Sequence, residues 1–475
     1  MICIPITAKN TKTAILEIKK TNNLADIIEL RLDYIHNPDL KKLIEAAKKS
    51  VIVTNRRKED NGRFKGTEKE RLSLLKEAIE LGADYIDIEI DANHKEITSN
   101  KKNSKIIVSY HNFKETPDNI KDISTKLNST DADIIKIATT ANKLTDNLKI
   151  IKLIKNSKKP IIALCMGPLG EISRILSTIY GSYLTFASLE KGKESALGQI
   201  PAETLKNIYR INNIKPGFKI YGIIGNPISE SKGYIIHNAL FKKEKLNNIY
   251  VRFEVNNLDE FMKNFSSLLS GFSVTMPHKQ KITAYLDKID PVAKKIGAVN
   301  TVTNKNGKLT GYNTDITGAI KAIKEKTEIK NKNTTIIGAG GAARAIALGI
   351  LEKGGKLTII NRTAEKAEKL SKELNCSSRQ LKDLKNIKTD ILINTTSVGM
   401  HPNTNQTPVE TKYIKDIVVF DAIYNPKKTK LLKEAGKNNC KIISGIEMFI
   451  NQAADQFKIW TGKEADTKLL REVLK

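Results

Sequence analysis

A lysine within an apolar segment is the most informative single residue in the first part of the chain. Lys136 lies in the run IIKIAT (134–139), and lysine is almost never fully buried unless it is paired. Burial or neighbouring cations free a lysine amine for attack on a carbonyl group. The alternative is a lysine at a strand end whose ammonium reaches solvent. His111, at the end of the preceding apolar run, could act beside it as a general acid or base.

Other polar side chains lie at the ends of the neighbouring apolar runs. Arg56 and Arg174 could hold a substrate carboxylate through paired hydrogen bonds, and the alternative for both is a surface ion pair. Asp87 and Glu89 lie within a further run. The remaining polar residues at these ends are Glu29, Arg31, Ser195 and Gln199.

A glycine-rich segment, TIIGAGGAARA (335–345), has the pattern of a strand, a tight turn and the start of a helix. Its glycines permit the turn and let the backbone approach a pyrophosphate at the helix N-terminus. The next apolar run, residues 356–360, ends about 20 residues later at Asn361-Arg362-Thr363. An NAD site usually has an acidic residue there, so Arg362 favours the 2′-phosphate of NADP. The alternative is a turn with a surface arginine.

Four polar clusters precede the glycine segment, each beside an apolar run, as expected for the rim of a cleft. Lys279 and Asp315, which end two of these clusters, could move a proton to or from a hydroxyl during hydride transfer. The alternative is an ordinary ion pair. The clusters are GNPISESKGYIIHNAL (225–240), GFSVTMPHK (271–279), GAVNTV (297–302) and GYNTD (311–315).

Eight short apolar runs, separated mostly by helical patterns such as 68–81 and 143–156, fill the first part of the chain. Near-continuous apolar strands separated by helices favour parallel β/α units. Eight units in roughly 200–250 residues are typical of a closed (β/α)8 TIM barrel, with its chemistry at the carboxyl ends of the strands. An open doubly wound sheet is the alternative. The runs are residues 2–7, 26–32, 51–55, 85–90, 105–111, 134–139, 160–166 and 183–187.

The length of the chain predicts further domains beyond this region. At about 150 residues per domain, 475 residues correspond to roughly three domains, or to two if one is a barrel. The segment NNIKPGF (212–218) contains Pro and Gly and separates two patterned regions. Strand patterns begin again at 219–224 and at 334–337.

The net charge of +28 raises the question of a polyanionic partner. Only twelve of the 80 basic residues are Arg, the residue that reads phosphates and bases most specifically, so we expect a Lys-rich surface and no nucleic-acid partner. We expect no membrane span and no secretory signal. The four scattered cysteines predict no metal site and are typical of a reducing cytoplasm.

Residues 1–205 resemble the type I 3-dehydroquinate dehydratases. The resemblance implies that Lys136 forms a Schiff base with the C3 ketone of 3-dehydroquinate and that His111 removes the C2 proton. The loop after Arg56 departs from the family, because many members have Glu-Gly-Gly where this chain reads EDNG (59–62). The matching motifs are ELR (29–31), SYHNF (109–113), IIKIA (134–138), EISR (171–174) and SALGQI (195–200). The residues implied to bind the substrate are Glu29, Arg31, Arg56, Arg174, Ser195 and Gln199.

Residues 219–475 resemble shikimate dehydrogenase, with five separated motifs in family order. The resemblance implies Lys279 and Asp315 as the catalytic pair, and INTTSVGM (393–400) at the nicotinamide end. Gly233 replaces a serine found in many members, and Ser273 replaces a frequent asparagine. The implied shikimate ligands are Ser231, Thr275, Asn300, Tyr424 and Gln452. The implied NADP ligands are Gly338, Gly340, Gly341, Ala342, Asn361, Arg362 and Thr363.

The order of the two halves resembles the bifunctional dehydroquinate dehydratase/shikimate dehydrogenases of the shikimate pathway. The resemblance implies small anionic substrates, namely 3-dehydroquinate, 3-dehydroshikimate and shikimate, with NADP(H) and no metal. A preference for quinate in the second half and a non-catalytic regulatory protein are the alternatives. The expected domains are an α/β barrel at 1–214, a substrate-binding α/β domain at 219–317 and 446–475, and a Rossmann-like NADP-binding domain at 318–445.

Overall fold

A computed structural model describes residues 1–475 of the chain. The chain divides into two compact units, Met1–Phe218 and Lys219–Lys475. All of the longer strands and helices of both units belong to α/β arrangements, as the alternating sequence pattern predicts. The residue boundaries predicted above for three domains stay predictions.

The first unit is built on eight parallel strands in the order β7-β6-β5-β4-β3-β2-β1-β8. Between β7 and β8 the Tyr183 N–H donates to the Ile161 carbonyl at 2.7 Å, so the sheet nearly closes. The predicted barrel is confirmed, and the open doubly wound alternative is excluded for this unit. The strands are β1 (Ile2–Ile6), β2 (Ile27–Arg31), β3 (Ser50–Thr54), β4 (Tyr85–Glu89), β5 (Lys105–Asn112), β6 (Ile134–Thr140), β7 (Ile161–Met166) and β8 (Thr185–Phe186).

Helices connect these strands and cover the barrel. The predicted helix at 143–156 begins only at Asp146, because the carboxylate of Asp146 accepts the N–H groups of Asn142 and Lys143 and holds them in a turn. The helices are α1 (Thr11–Thr21), α2 (Leu40–Ala46), α3 (Glu68–Glu80), α4 (His94–Thr98), α5 (Ile120–Asn128), α6 (Asp146–Asn156) and α7 (Glu171–Ile179).

The interior of the barrel changes from apolar to charged along the strands. Because successive side chains of a strand alternate between its two faces, every second residue points inward. The apolar level contains Cys3, Ile27, Ile52, Tyr85, Ile107, Ile134 and Ile162, which pack as one cluster. Two residues further along the strands lie Glu29, Thr54, Asp87, Ser109 and Lys136, and two residues beyond those lie Arg31, Arg56, Glu89 and His111.

The second unit contains a mixed six-stranded sheet in the order β10-β9-β11-β13-β14-β12. Its pairs β11–β13 and β13–β14 are antiparallel, and its other pairs are parallel. The strands are β9 (Lys219–Gly225), β10 (Asn248–Glu254), β11 (Gly271–Val274), β12 (Lys288–Ile289), β13 (Thr301–Lys305) and β14 (Lys308–Tyr312). The helices of this region are α8 (Gly233–Lys243), α9 (Leu258–Asn264), α10 (Pro291–Ile296) and α11 (Asp315–Lys324).

A second six-stranded sheet of this unit is wholly parallel, in the Rossmann-like order β17-β16-β15-β18-β19-β20. Its strands are β15 (Asn333–Ile337), β16 (Lys356–Asn361), β17 (Ser377–Gln380), β18 (Ile391–Asn394), β19 (Val418–Asp421) and β20 (Lys441–Ser444). Its helices are α12 (Gly341–Glu352), α13 (Ala364–Leu374) and α14 (Lys430–Lys437).

The last two helices, α15 (Gly445–Thr461) and α16 (Thr467–Val473), return to the mixed sheet. Ile450, Ala453 and Phe457 of α15 pack in one cluster with Phe241 of α8 and Tyr250 of β10. The return brings the C-terminal segment beside residues more than 150 positions earlier in the chain. Among all the helices of both units, none combines the length and the apolar composition that a membrane crossing requires.

Two candidate active sites

One pocket at the carboxyl ends of the barrel strands contains all the barrel residues selected from the sequence. A parallel barrel brings these ends to one face, so side chains from separate segments meet there. The selected residues that line the pocket are Glu29, Arg31, Arg56, His111, Lys136, Arg174, Ser195 and Gln199.

Lys136 is buried, and its ammonium does not reach solvent as the alternative reading required. Only 5% of the residue is exposed. Its Nζ donates to Asp87 Oδ2 at 2.8 Å and lies 3.8 Å from Glu29 Oε1. The same nitrogen lies 4.3 Å from the centroid of the Phe186 ring. The lysine nitrogen therefore has two carboxylates and an aromatic face around it.

Arg56 is fully engaged by protein groups. Its Nη2 donates to Asp87 Oδ1 at 2.7 Å, and its Nη1 donates to Glu89 Oε1 at 2.8 Å and to Ser109 Oγ at 3.0 Å. Burial alone would raise the pKa of Asp87, but Arg56 and Lys136 hold that pKa well below its usual range. Arg56 thus forms a buried ion pair, whereas the sequence left open a surface ion pair or a contact with a substrate carboxylate.

Arg174 of α7 is a buried cation with no carboxylate partner. It is 1% exposed, and its Nη1 and Nη2 donate only to the carbonyl oxygens of Phe186 and Leu197, at 3.4 and 3.2 Å. Its Nε has no hydrogen-bond partner. Burial lowers the pKa of Arg174 to about 10, so the guanidinium stays charged at neutral pH. Because an unpaired buried charge is costly, this geometry is suited to an incoming anion.

His111 at the end of β5 is neutral in this environment. Burial, together with the nearby cations Arg56 and Lys136, lowers the pKa of its imidazole well below the usual value. Its Nδ1 has no hydrogen-bond partner, and its ring stacks on Phe113 with 6.0 Å between centroids. A neutral imidazole in the pocket can accept a proton from a bound molecule.

The loop after Arg56, which departs from the family pattern, contributes Asp60 and Asn61 to the pocket. Asn61 adopts a left-handed conformation with φ of 60°. Gly62 is required by a close approach, because a Cβ there would lie 2.1 Å from the Arg56 carbonyl oxygen. The loop therefore reaches the pocket with its own polar side chains.

Sequence reasoning assigned no role to Asp87, Glu89 or Phe186, which complete this site. The signal for the two acids was present, since YIDIE (85–89) places them two residues apart in an otherwise apolar strand. No comparable signal marked Phe186, whose ring contacts Lys136 only because the barrel brings β8 close to β6.

A second pocket lies in the second unit and is centred on Lys279 and Asp315. Lys279 Nζ donates to Asp315 Oδ2 at 2.5 Å, and Asn300 Nδ2 donates to Asp315 Oδ1 at 2.8 Å. Asp315 is 5% exposed at the start of α11. The predicted pair is thus an oriented ion pair within a pocket, and Asn300 fixes the carboxylate. The selected residues that line the pocket are Ser231, Thr275, Lys279, Asn300, Asp315, Tyr424 and Gln452.

Hydroxyl and amide groups from distant segments meet in this pocket. Ser231 and Tyr424 both line the pocket, and burial raises the pKa of Tyr424 to about 12, so its proton is retained. The Tyr424 ring stacks on Phe449 of α15 at 4.5 Å between centroids. Gln452, also on α15, accepts hydrogen bonds from Asn300 at 3.5 Å. These groups are donors and acceptors of the kind that bind a hydroxylated acid.

The wall beside Gly233 is formed by a hydrogen-bonded chain that sequence reasoning missed. Gln456 Nε2 donates to the Asn300 carbonyl at 3.2 Å, which identifies the other amide atom, Oε1, as an acceptor. Gln456 Oε1 accepts a hydrogen bond from Ser273 Oγ at 3.0 Å. Ser273 Oγ in turn accepts the Tyr250 hydroxyl at 2.8 Å. The Tyr250 hydroxyl proton is therefore used in the bond to Ser273, and the Tyr250 oxygen can only accept a hydrogen bond from any further group.

The glycine turn between β15 and α12 has the geometry of an anion site at a helix N-terminus. Gly338 has φ of 116°, and a Cβ there would lie 2.3 Å from Thr395 Oγ1. Gly340 precedes α12 without a side-chain cap, and a Cβ built on it meets no atom within 4 Å. Unsatisfied N–H groups of the first helical turn thus remain available to an anion.

The same turn adjoins the second pocket. A Cβ on Gly341 would lie 3.4 Å from Lys279 Cδ, and Ala342 lines the pocket itself. Asn361, Arg362 and Thr363 follow at the carboxyl end of the neighbouring strand β16, with Arg362 exposed. No group of three or more His, Cys, Asp or Glu side chains is arranged to hold a metal ion.

Known families match nearly the whole chain. Residues 2–216 match the Type I 3-dehydroquinase family. Residues 223–302 match the shikimate dehydrogenase substrate binding domain, residues 321–431 match shikimate/quinate 5-dehydrogenase, and residues 445–475 match the shikimate 5′-dehydrogenase C-terminal domain.

Known proteins resemble either the whole chain or its second unit. The bifunctional 3-dehydroquinate dehydratase/shikimate dehydrogenase, chloroplastic, of Arabidopsis thaliana is 40% identical over 506 residues, which cover 100% of this chain and 84% of that protein. A solved shikimate dehydrogenase in complex with NADP+ has 43% identity and a TM-score of 0.51, covering 55% of this chain and 96% of its own. The shikimate 5-dehydrogenase of Thermus thermophilus, solved with NADP(H) and shikimate, has 29% identity and a TM-score of 0.51, covering 54% and 98%. On its matches in both units, the chain belongs to the family of bifunctional 3-dehydroquinate dehydratase/shikimate dehydrogenases.

Proposed function

We propose that the first unit dehydrates 3-dehydroquinate to 3-dehydroshikimate through a Schiff base on Lys136. The second unit then reduces 3-dehydroshikimate to shikimate with NADPH. The observation that carries the first reaction is a buried lysine that shares one pocket with Arg174, a buried cation without an anion. The observation that carries the second is the Lys279–Asp315 pair at 2.5 Å beside the glycine turn.

The barrel residues divide the dehydration among them. Lys136 attacks the C3 ketone, and the resulting protonated imine withdraws electrons from C2. Neutral His111 removes the C2 proton and returns it to the C1 hydroxyl as that group leaves. Arg174 holds the substrate carboxylate, assisted by Ser195 and Gln199, whose amide and hydroxyl hydrogen-bond each other at 3.0 Å.

The second unit is organised for proton transfer at one oxygen. Lys279, oriented by Asp315, donates a proton to the carbonyl oxygen that becomes the shikimate hydroxyl, and Asn300 fixes Asp315 from its other side. Ser231 and Tyr424 would hold the carboxylate, while Thr275 and Gln452 would hold hydroxyls. The substrates and products of both units are therefore small anionic acids.

The residues around the glycine turn fit NADP(H). The open space at Gly340 and the uncapped start of α12 suit a pyrophosphate, and Arg362 suits a 2′-phosphate. The remaining groups that would contact the cofactor are Gly338, Gly341, Ala342, Asn361 and Thr363. When bound, NADPH supplies the hydride for the reduction.

A second candidate function is oxidation of quinate, which has one more hydroxyl than shikimate, on the carbon that bears the carboxylate. Gly233 leaves room where many relatives have a serine, and a Cβ there would lie 3.2 Å from the Tyr250 oxygen. That oxygen can accept a hydrogen bond from a substrate hydroxyl because its own proton is donated to Ser273. The space beside Gly233 and the acceptor oxygen of Tyr250 therefore favour binding of the additional hydroxyl of quinate.

Replacing Lys136 tests the dehydratase assignment. Lys136→Ala is expected to abolish dehydration of 3-dehydroquinate, followed by enone absorbance, because no other lysine lines that pocket. Oxidation of shikimate by NADP+ should be unchanged and serves as the control. Borohydride added with 3-dehydroquinate should leave a reduced adduct on the peptide that contains Lys136. An adduct on a different lysine would refute the imine assignment.

Two buried arginines of the barrel should respond oppositely to removal. Arg56→Met is expected to lower the free energy of unfolding by about 3–5 kcal/mol, because it strands buried carboxylates. Arg174→Met should change it by less than about 1 kcal/mol or raise it, while KM for 3-dehydroquinate rises by about 100-fold. Calorimetry and steady-state kinetics measure the two effects. An unchanged KM in Arg174→Met would contradict its role with the carboxylate.

Arg362 should decide the choice between the two nicotinamide cofactors. Arg362→Ala is expected to weaken NADP+ binding by about tenfold or more, because a charge-assisted contact to the 2′-phosphate is lost. Binding of NAD+, which lacks that phosphate, is the control and should hardly change. Kd values for both cofactors measured by fluorescence titration test this, and equal weakening would count against the assignment.

Filling the space at Gly233 tests the second candidate. The unmodified protein is expected to oxidise quinate as well as shikimate with NADP+. Gly233→Ser should lower kcat/KM for quinate relative to shikimate by about tenfold, because it removes room for one hydroxyl. Gly233→Ala is the matched control for bulk without a hydroxyl group. Absence of quinate oxidation in the unmodified protein would exclude this function.

A further inference from the structure

The nitrogen of Lys136 lies between two carboxylates and the face of an aromatic ring. Asp87 Oδ2 contacts it at 2.8 Å, Glu29 Oε1 lies at 3.8 Å, and the Phe186 ring centroid lies at 4.3 Å. A site that served only the attack on a carbonyl would gain from disfavouring the protonated amine. The protonated imine carries its positive charge on this same nitrogen, so these surroundings stabilise it.

We propose that Asp87 is a catalytic residue of the dehydration, the counter-ion that keeps the imine on Lys136 protonated. This inference rests on the proposed function, since it requires the imine. Asp87 touches the reacting nitrogen, whereas Glu89, on the same strand, contacts Arg56 and does not form an ion pair with Lys136.

The bonds at the reacting nitrogen balance with Asp87 as an anion throughout. Lys136 starts as an ammonium and gives up one proton so that its nitrogen can attack the ketone carbon. Two of its three protons leave with the ketone oxygen as one water, and the C=N nitrogen keeps the third proton and the positive charge. That N–H can donate to Asp87 Oδ2 as the ammonium does in the resting enzyme. No electrons are exchanged with an external group.

Asp87 is suited to a fixed charge and unsuited to accepting a proton. Despite its burial, Arg56 and Lys136 hold the pKa of its carboxyl well below the usual range. The neutral imidazole of His111 is the base available in the pocket. The division of roles follows, with Asp87 stabilising charge and His111 moving protons.

The orientation of Asp87 is set by a chain of contacts leading to the barrel wall. Its Oδ1 accepts from Arg56 Nη2 at 2.7 Å and from Ser109 Oγ at 2.7 Å, which leaves Oδ2 facing Lys136. Glu89 holds Arg56 from its other side, and Arg71 Nη1 of α3 lies 2.9 Å from Glu89 Oε2. The charged and titratable groups around Asp87 are Cys3 of β1, Glu29 and Arg31 of β2, Arg56, Glu89 of β4, His111 of β5, Lys136 of β6 and Arg71 of α3.

The test compares Asp87→Asn with Glu89→Gln, which also removes one buried negative charge that pairs with Arg56. Without its counter-ion the imine loses its proton at lower pH. In Asp87→Asn, kcat for dehydration should fall by about 100-fold with a smaller change in KM. The pH at which kcat declines on the alkaline side should fall by more than about one unit. In Glu89→Gln, kcat should fall by less than about tenfold. The pH at which kcat declines on the alkaline side, called the alkaline limb below, should stay where it is in the unmodified protein.

Borohydride trapping separates this inference from the proposed function. An adduct on Lys136 in both the unmodified protein and Asp87→Asn, together with the shifted limb, supports the counter-ion. Absence of an adduct in the unmodified protein would defeat the proposed function itself. Equal losses in Asp87→Asn and Glu89→Gln, or an unshifted limb, would overturn the role of Asp87 alone.

Folding of the variants is followed through the unfolding transition of the barrel. If Asp87→Asn loses that transition, Asp87→Glu, which keeps the charge, takes its place and should retain the alkaline limb even where kcat falls. A folded Asp87→Asn that forms no adduct would place the role of Asp87 before the imine and would also overturn the proposal.

Discussion

Each unit holds a lysine ammonium against an aspartate carboxylate from a different segment, at 2.8 Å for Lys136 and Asp87 and at 2.5 Å for Lys279 and Asp315. In each pair the lysine and the aspartate need each other, because an isolated ion buried in a protein costs about several kcal/mol of desolvation free energy. The surrounding residues serve the same requirement. Arg56 and Ser109 complete the hydrogen bonding of one aspartate, and Asn300 that of the other.

Parallel strands deliver these groups because their carboxyl ends meet on one face. In the barrel, the apolar level below the site and the charged levels above it arise from the same alternation of residues along each strand. In the second unit, the turn after β15 lies against the Lys279 side chain, so a bound anion at the helix N-terminus and the acid/base pair adjoin. The net charge of +28 has little to do with either site, since the cations in both pockets are few.

The two buried arginines of the barrel, Arg56 and Arg174, have different roles because only Arg56 is paired with carboxylates. Arg56 is neutralised within the protein, so its removal affects the charge balance of the interior. Arg174 has only carbonyl partners, so its charge is left for a ligand. Residue type alone does not distinguish the two arginines, because both follow apolar strands. The same holds for Gly233, whose importance depends on the oxygen of Tyr250 beside it.

The local pattern of this chain determined the eight barrel strands, the glycine turn and candidate groups such as Lys136, His111 and Lys279, because alternation and turn chemistry act over a few residues. The ligands predicted around Lys279 came only from the resemblance to shikimate dehydrogenase. Asp87 and Glu89 were visible as acids in the apolar segment YIDIE, but their partners were not. Only the tertiary structure decided that Asp87 contacts Lys136, 49 residues away, that Phe186 faces the same nitrogen, and that Gln456 of α15 orients Ser273. These contacts follow from barrel closure and from the return of the C-terminal helix, which depend on packing between distant segments and leave no periodic signal in the sequence.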